Sequence, residues 1–219
     1  MRGDQLVIEP HHRKAARGLY ELMNETLSAH PGRQVITIAG ESGSGKSETA
    51  RALADLLEDE GIGTVIFQQD DYFVYPPRSN DKARRADIAW VGPKEVRLDL
   101  LDEHLGAFID GQPTVEKPLI DYAADRIDQE SLPVADARIA IAEGTYTTLL
   151  EQAHRRAFIN RTSAETRAHR EKRARHASEL DPFIEKVLAI EHEIIASHRP
   201  RADFIIESDY SVHSAGKDH

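Results

Sequence analysis

The chain has 219 residues and a mass of 24.5 kDa, which suits one domain that buries roughly 70% of its unfolded-chain surface without disulfides or a structural metal. Its 28 basic and 38 acidic side chains leave a net charge of −10, which argues against a protein built to neutralise a nucleic-acid backbone, and zero cysteines exclude disulfide scaffolds, thiolate metal sites and thiol nucleophiles. No apolar run approaches membrane-spanning length and the first residues carry no signal-like core, so the expectation is a soluble, cytoplasmic protein with no nucleic-acid or membrane partner, a homo-oligomer being left open.

A helix is predicted over residues 13–29, with Ala16, Leu19, Leu22, Met23 and Leu27 on one face and His30-Pro31-Gly32 as its stop. The β-branched run at 35–39 reads as a buried strand, followed by a glycine-rich loop and a helix over 46–60. A second strand at 64–67 leads into Gln69-Asp70-Asp71-Tyr72, and residues 73–93 read as a loop carrying Lys82, Arg84 and Arg85. A helix over about 94–110 precedes an irregular stretch, and a third strand at 138–142 ends in Glu143-Gly144. Beyond a fourth strand near 157–160 come a basic helix over about 164–177, a helix at 183–197 and a last strand at 203–206. Short apolar strands alternating with helices predict an α/β fold, a parallel sheet covered on both faces.

Gly40, Glu41, Ser42, Gly43, Ser44, Gly45, Lys46 and Ser47 satisfy the G-x-x-x-x-G-K-[ST] pattern, in the strand–loop–helix context that the pattern needs. Glycines let successive backbone N–H groups turn inward around phosphates, and the helix start, with Glu48 in its first turn, adds a favourable dipole. Lys46 is suited to the β and γ phosphates, and the Ser47 hydroxyl to an accompanying Mg²⁺. The expected ligands are therefore ATP and Mg²⁺.

The guanine-reading Asn-Lys-x-Asp of G-proteins is absent, and the third strand ends Ala142-Glu143-Gly144 rather than in the Asp-Glu of motor ATPases. Asp70, just past the second strand, is placed to orient or deprotonate an alcohol at the edge where parallel sheets bind ligands. Glu143 is the second candidate for Mg²⁺. Arg167, Arg170, Lys172, Arg173 and Arg175 sit in one basic segment that reads as a lid over the transferring phosphate. The eleven histidines lack metal spacing: His192 and His198 are six apart where a zincin helix needs four, and His11-His12 reads as a surface pair.

These residues together resemble the uridine kinase and phosphoribulokinase family of P-loop kinases, over most of residues 35–207. The likeness runs in order through Gly40 to Ser47, Gln69-Asp70-Asp71-Tyr72, Pro118-Leu119-Ile120-Asp121-Tyr122, Ala142-Glu143-Gly144, Thr166-Arg167-Ala168-His169-Arg170 and the Ala202-Asp203 pair opening the last strand. It implies a P-loop NTPase fold with about five parallel strands, one kinase domain over 1–219 with an N-terminal helical extension at 1–34, and a lid near 167–182. It also implies Asp70 as catalytic base and Arg170 and Arg173 as lid cations that act with Lys46. Candidates for the acceptor pocket are Tyr72, Lys82, Arg84, Arg85, Trp90, Asp121, Tyr122 and Arg126, with Arg167 beside them.

Two departures concern the acceptor. Trp90-Val91-Gly92-Pro93 stands where nucleoside kinases of the family have Asp-His-Pro, and Ile120 and Asp125 stand where they have an aromatic residue and a histidine. The expected activity is Mg²⁺-dependent transfer from ATP to a hydroxyl of a small metabolite, uridine kinase-like. The alternatives are a non-nucleoside alcohol (pantothenate-like, sugar or sugar phosphate) and a catalytically silent nucleotide-binding regulatory module.

Overall fold

The computed structural model describes residues 6–162, 165 and 181–216. Helix α1 (Pro10–Ala29) starts where Glu9 and His12 cap one another and Pro10 supplies a preset φ. Its buried stripe is Ala15, Ala16, Leu19, Met23 and Leu27. Leu22, expected on that face, is 40% exposed, because the i, i+4 row from Leu19 passes through Met23 instead.

Strand β1 (Gln34–Gly40) is buried along its whole length, and α2 (Lys46–Asp59) returns the chain to β2 (Thr64–Gln68). The stretch expected to be a loop contains helix α3 (Pro77–Ala86), which buries only Asn80. After α4 (Leu98–Ile109), the segment expected to be irregular forms an antiparallel hairpin, β3 (Thr114–Asp121) with β4 (Arg126–Pro133). Strand β5 (Ile139–Glu143) follows, then β6 (Arg155–Ile159), α5 (Pro182–Ala196), β7 (Phe204–Ile206) and β8 (Val212–Ser214).

The main sheet has the order β2-β5-β1-β6-β7-β8. Its first five strands run parallel, and β8 adds an antiparallel edge on β7 that the sequence did not announce. One face packs on α1 and α2 through Leu19, Met23, Leu53 and Leu57. The other packs on α4 and α5 through Leu101, Leu105, Phe108 and Ile195. Both faces of β1 and β5 are therefore covered, which explains their unbroken apolar runs. Because β1, β2 and β5 are parallel neighbours, their carboxyl ends open on one edge, and the motif residues gather there. No helix among the described residues is long and apolar enough to cross a membrane.

Candidate active site

The phosphate loop leaves β1 at Gly40, whose φ of +152° and tight fit suit glycine: a Cβ there would lie 3.0 Å from the Ile159 carbonyl oxygen and from Ser44 Oγ. Gly45 caps α2 in the left-handed region at φ +94°, where a Cβ would press on His12 Nε2 at 3.0 Å and on the Tyr210 hydroxyl at 3.1 Å. The N–H groups of the first turn of α2 have no intrahelical acceptor and carry the positive end of the helix dipole. Lys46 Nζ donates to the Glu41 carbonyl at 2.9 Å, so its ammonium is held at the mouth of the loop. Glu41 and Glu48 are buried, while Ser42, Gly43, Lys46 and Ser47 are partly open. The loop thus offers backbone donors and one ammonium around a glycine-lined turn, which fits a triphosphate.

Glu143 ends β5 opposite Ile38 of β1 and Gln68 of β2. Burial, reinforced by the charge of Asp70, pushes its carboxyl up to about 7, while Lys46 and the Ser47 hydroxyl pull the other way. A serine hydroxyl beside a buried carboxylate is an all-oxygen donor pair, which fits Mg²⁺. The cation would remove the like-charge penalty that Glu143 and Asp70 impose on one another. Asp70 itself is exposed in the short 3-10 turn Gln69–Tyr72 that follows β2. Lys46, Ser47 and Asp70 therefore all lie close enough to act on Glu143.

The neighbouring residues turn inward. Asp71 is buried, accepts from Lys117 Nζ at 2.7 Å and from the Ile120 N–H at 3.0 Å, and so fastens the β3–β4 hairpin to the turn that carries Asp70. Tyr72 lies fully inside the core with its hydroxyl 2.9 Å from His104 Nδ1, and burial raises its phenol. The structure thus places it in packing rather than on the cleft wall.

Asp121 caps the hairpin turn by accepting from the Ala124 N–H at 2.9 Å, Tyr122 is half-buried beside it, and Arg126 is exposed and paired with Asp128 at 2.6 Å. Asp125 takes a φ of +52° and accepts from the Arg78 N–H at 2.7 Å and the Ser79 hydroxyl at 3.1 Å. The predicted lid, with Arg167, Arg170, Arg173 and Arg175, lies outside the described residues.

Trp90 is half-buried against Tyr75, its ring N–H donating to Asn80 Oδ1 at 2.9 Å. Asn80 in turn donates to Glu95 Oε1 at 3.2 Å. Of the basic trio, Lys82 is exposed and Arg85 is held by Asp81 and Asp181, both at 2.8 Å. Arg84 points inward: its Nε pairs with Glu95, and its Nη2 reaches Glu95 Oε2 at 2.7 Å and Glu191 Oε1 at 3.0 Å.

This triad escaped the sequence reading, although one signal for it exists. Glu191 occupies the buried face of α5 with Val187, Leu188 and Ile195, a carboxylate at an apolar position. Next to it His192 Nδ1 lies 2.7 Å from Glu41 Oε1, which ties α5 to the phosphate loop and raises the imidazole pKa through that hydrogen bond.

His12, expected at the surface, is buried, its Nδ1 accepting the Glu9 N–H at 3.1 Å and its ring against His11 and Tyr210. Glu9, His11 and His12 gather closely enough to hold a metal, with His12 Nδ1 engaged in capping α1.

Against known proteins, residues 35–161 match the Phosphoribulokinase / Uridine kinase family. A uridine kinase of Bacillus mycoides is 30% identical over 193 residues, covering 83% of this chain and 88% of that protein. A bifunctional alpha-galactosidase/sucrose kinase of Mediterraneibacter gnavus is 28% identical over 213 residues; these cover 91% of this chain but only 23% of that much longer protein. Among solved structures, a D-glycerate 3-kinase from Cryptococcus neoformans superposes with a TM-score of 0.60 at 12% identity, covering 94% of this chain and all of that one, a likeness of fold alone. The loop at the end of β1, the carboxylates at the ends of β2 and β5, and a family match spanning more than half of the residues give one conclusion: the chain belongs to the phosphoribulokinase/uridine kinase family of small-molecule kinases.

Proposed function

We propose that the chain transfers the γ-phosphoryl group of ATP to a hydroxyl of a small metabolite in the cytoplasm, with Mg²⁺ held by Ser47 and Glu143. The observation that carries this reading is the meeting of Lys46, Ser47, Asp70 and Glu143 at the carboxyl ends of three adjacent parallel strands. In the reaction Lys46 and the loop N–H groups hold the triphosphate in line. Asp70 accepts the hydroxyl proton as the new P–O bond forms and the bond from the γ-phosphorus to the bridging oxygen breaks, releasing ADP. Bound Mg²⁺ supplies charge neutralisation of the phosphate oxygens. Arg167, Arg170 and Arg173 are assigned, by resemblance, to covering the transferred group.

For the acceptor, a non-nucleoside alcohol is favoured over uridine. Asp125 stands where the family's base-reading histidine would be, and both of its oxygens are engaged within α3. Ile120 offers a buried aliphatic side chain in place of an aromatic one. The sucrose kinase relative points in the same direction.

The test is transfer from γ-labelled ATP to nucleosides, sugars and pantothenate-like alcohols, with Lys46→Ala as control. Lys46-dependent label on a non-nucleoside alcohol supports the reading. Label on uridine alone restores the nucleoside assignment. Tight ATP binding without transfer to any acceptor would leave the regulatory module.

A further inference from the structure

At the edge of the sheet opposite the phosphate loop, where β1 and β6 begin, the end of α1 and the chain entering β6 enclose a cavity of about 360 Å³. The length of β1, from Gln34 to Gly40, puts it roughly 20 Å from that loop. Thr26, His30, Arg33, Gln34, His154 and Arg155 form its polar lining, and no acidic residue contributes to it. That is the reverse of the chain as a whole, whose net charge is −10.

The positive charges here are hydrogen-bonded without being neutralised. Arg33 donates to the carbonyls of Phe108 at 2.7 Å, Gln112 at 3.0 Å, Val134 at 3.1 Å and Ala135 at 2.9 Å. Those bonds use its terminal donors, so it contributes a fixed charge rather than a grip. The end of α1 would oppose an anion through its orphan carbonyls, but these are occupied. His30 Nδ1 donates to the Thr26 carbonyl at 3.1 Å, Arg138 to those of Leu27 and His30, and Gln34 to that of His30 at 2.8 Å. Arg155 is the cation with donors to spare. Its Nη1 donates to the His154 carbonyl at 2.8 Å, and its other nitrogens meet no protein acceptor among the described residues. Burial lowers the His154 imidazole, and the nearby Arg155 and His30 lower it further, as a site rich in positive charge would.

We propose that this cavity is a second ligand site, remote from the phosphate loop, which takes the phosphate group of a small molecule through Arg155, with His30 and His154 beside it and the charge of Arg33 in its wall. A guanidinium fork matches phosphate oxygens in geometry and charge. The volume suits a sugar or nucleoside monophosphate. Free phosphate shares the recognising chemistry, and the two sources are separated by experiment. The inference is independent of the kinase reading, because the ligand is bound here and not transformed.

The test uses the full chain loaded with Mg²⁺ and a non-hydrolysable ATP analogue, which keeps added phosphates out of the phosphate loop. Inorganic phosphate, glycerol 3-phosphate, ribose 5-phosphate and AMP are titrated beside glycerol, ribose and adenosine. Binding is read by calorimetry and by the imidazole resonances of His30 and His154, assigned with His30→Gln and His154→Gln. The phosphates should shift both resonances to saturation, and the neutral counterparts should shift neither. Arg155→Gln should weaken binding by about 10–100-fold, and Arg155→Lys should recover part of the loss. An organic phosphate that binds tighter than inorganic phosphate supports a metabolite site, and equal affinity supports a site for free phosphate. Resonances of His30 and His154 that no phosphate moves, equal shifts with the neutral compounds, or unchanged affinity in folded Arg155→Gln overturns the proposal. If Arg155→Gln does not fold, the resonances of the unsubstituted protein decide.

Discussion

Glu143→Gln makes the cost of the candidate metal site measurable as stability. Burial lifts the Glu143 carboxyl from 4.5 to about 7, so between those values the folded protein binds a proton that the unfolded chain releases. Folding stability from this group is therefore complete below pH 4.5 and falls as pH rises through about 7. At 1.36 kcal/mol per unit the loss is about 3 kcal/mol by pH 8, the penalty of a buried carboxylate without its cation. Glutamine keeps the shape and carries no such penalty. In EDTA the variant should match the wild type near pH 4.5 and exceed it by about 3 kcal/mol at pH 8 in urea titrations. For a chain of this length that is roughly 6–12 °C in melting temperature. Mg²⁺ with ATP should then narrow the gap by stabilising the wild type more than the variant. Wild-type and variant curves that stay parallel from pH 4.5 to 8 would refute the idea that Glu143 is a strained, cation-seeking carboxylate.

Asp70→Asn should lower transfer by about 10²–10⁴-fold with ATP affinity unchanged, read by single-turnover kinetics and nucleotide titration. Asp71→Ala, one residue away, should act on stability instead: it leaves the buried Lys117 with Glu130 as its one remaining carboxylate beside the Pro118 carbonyl, and should cost about 3 kcal/mol in urea unfolding. Gly144→Ala should cost about 1–3 kcal/mol, because the new Cβ would come within 2.2 Å of the Gln69 side chain, whose Oε1 accepts the Tyr146 N–H. His192 is raised by its bond to Glu41, so the tie between α5 and the phosphate loop is complete below the imidazole's ordinary range and weakens as pH rises through its raised pKa. His192→Gln should flatten the alkaline limb of nucleotide affinity, measured from pH 6 to 9.

The strands of the central sheet and the phosphate loop were legible because burial on both faces writes itself as continuous apolar runs, and the loop as a spacing of glycines. Helix α3 was not, since its ten residues bury only Asn80 and are held by Pro77 at the start and by the Arg85–Asp81 pair along one face. The β3–β4 hairpin hid for a related reason. β4 is mostly polar, with Ile127 and Leu132 as its only large apolar residues and no buried position, β3 contains Pro118, and the two strands pair only with each other. Asp70 could be read from its position after β2, whereas Tyr72, two residues on, could not. With three residues per turn, a 3-10 turn points successive side chains about 120° apart, which leaves Asp70 exposed while Tyr72 enters the core. The Arg84–Glu95–Glu191 triad joins positions 11 and 107 residues apart along the chain, and no local spacing encodes that.

Gly45, where α2 begins, is backed by His12 and Tyr210, which belong to the first helix and to the turn before the last strand. The two ends of the chain thus form a rear buttress for the phosphate loop, with Arg161 reaching Tyr210 from the end of β6. A version shortened to begin near β1 would keep every residue of the signature motif and lose the surface that holds the loop in shape. In this chain the grip on the triphosphate is a property of both termini as much as of the eight residues that name it.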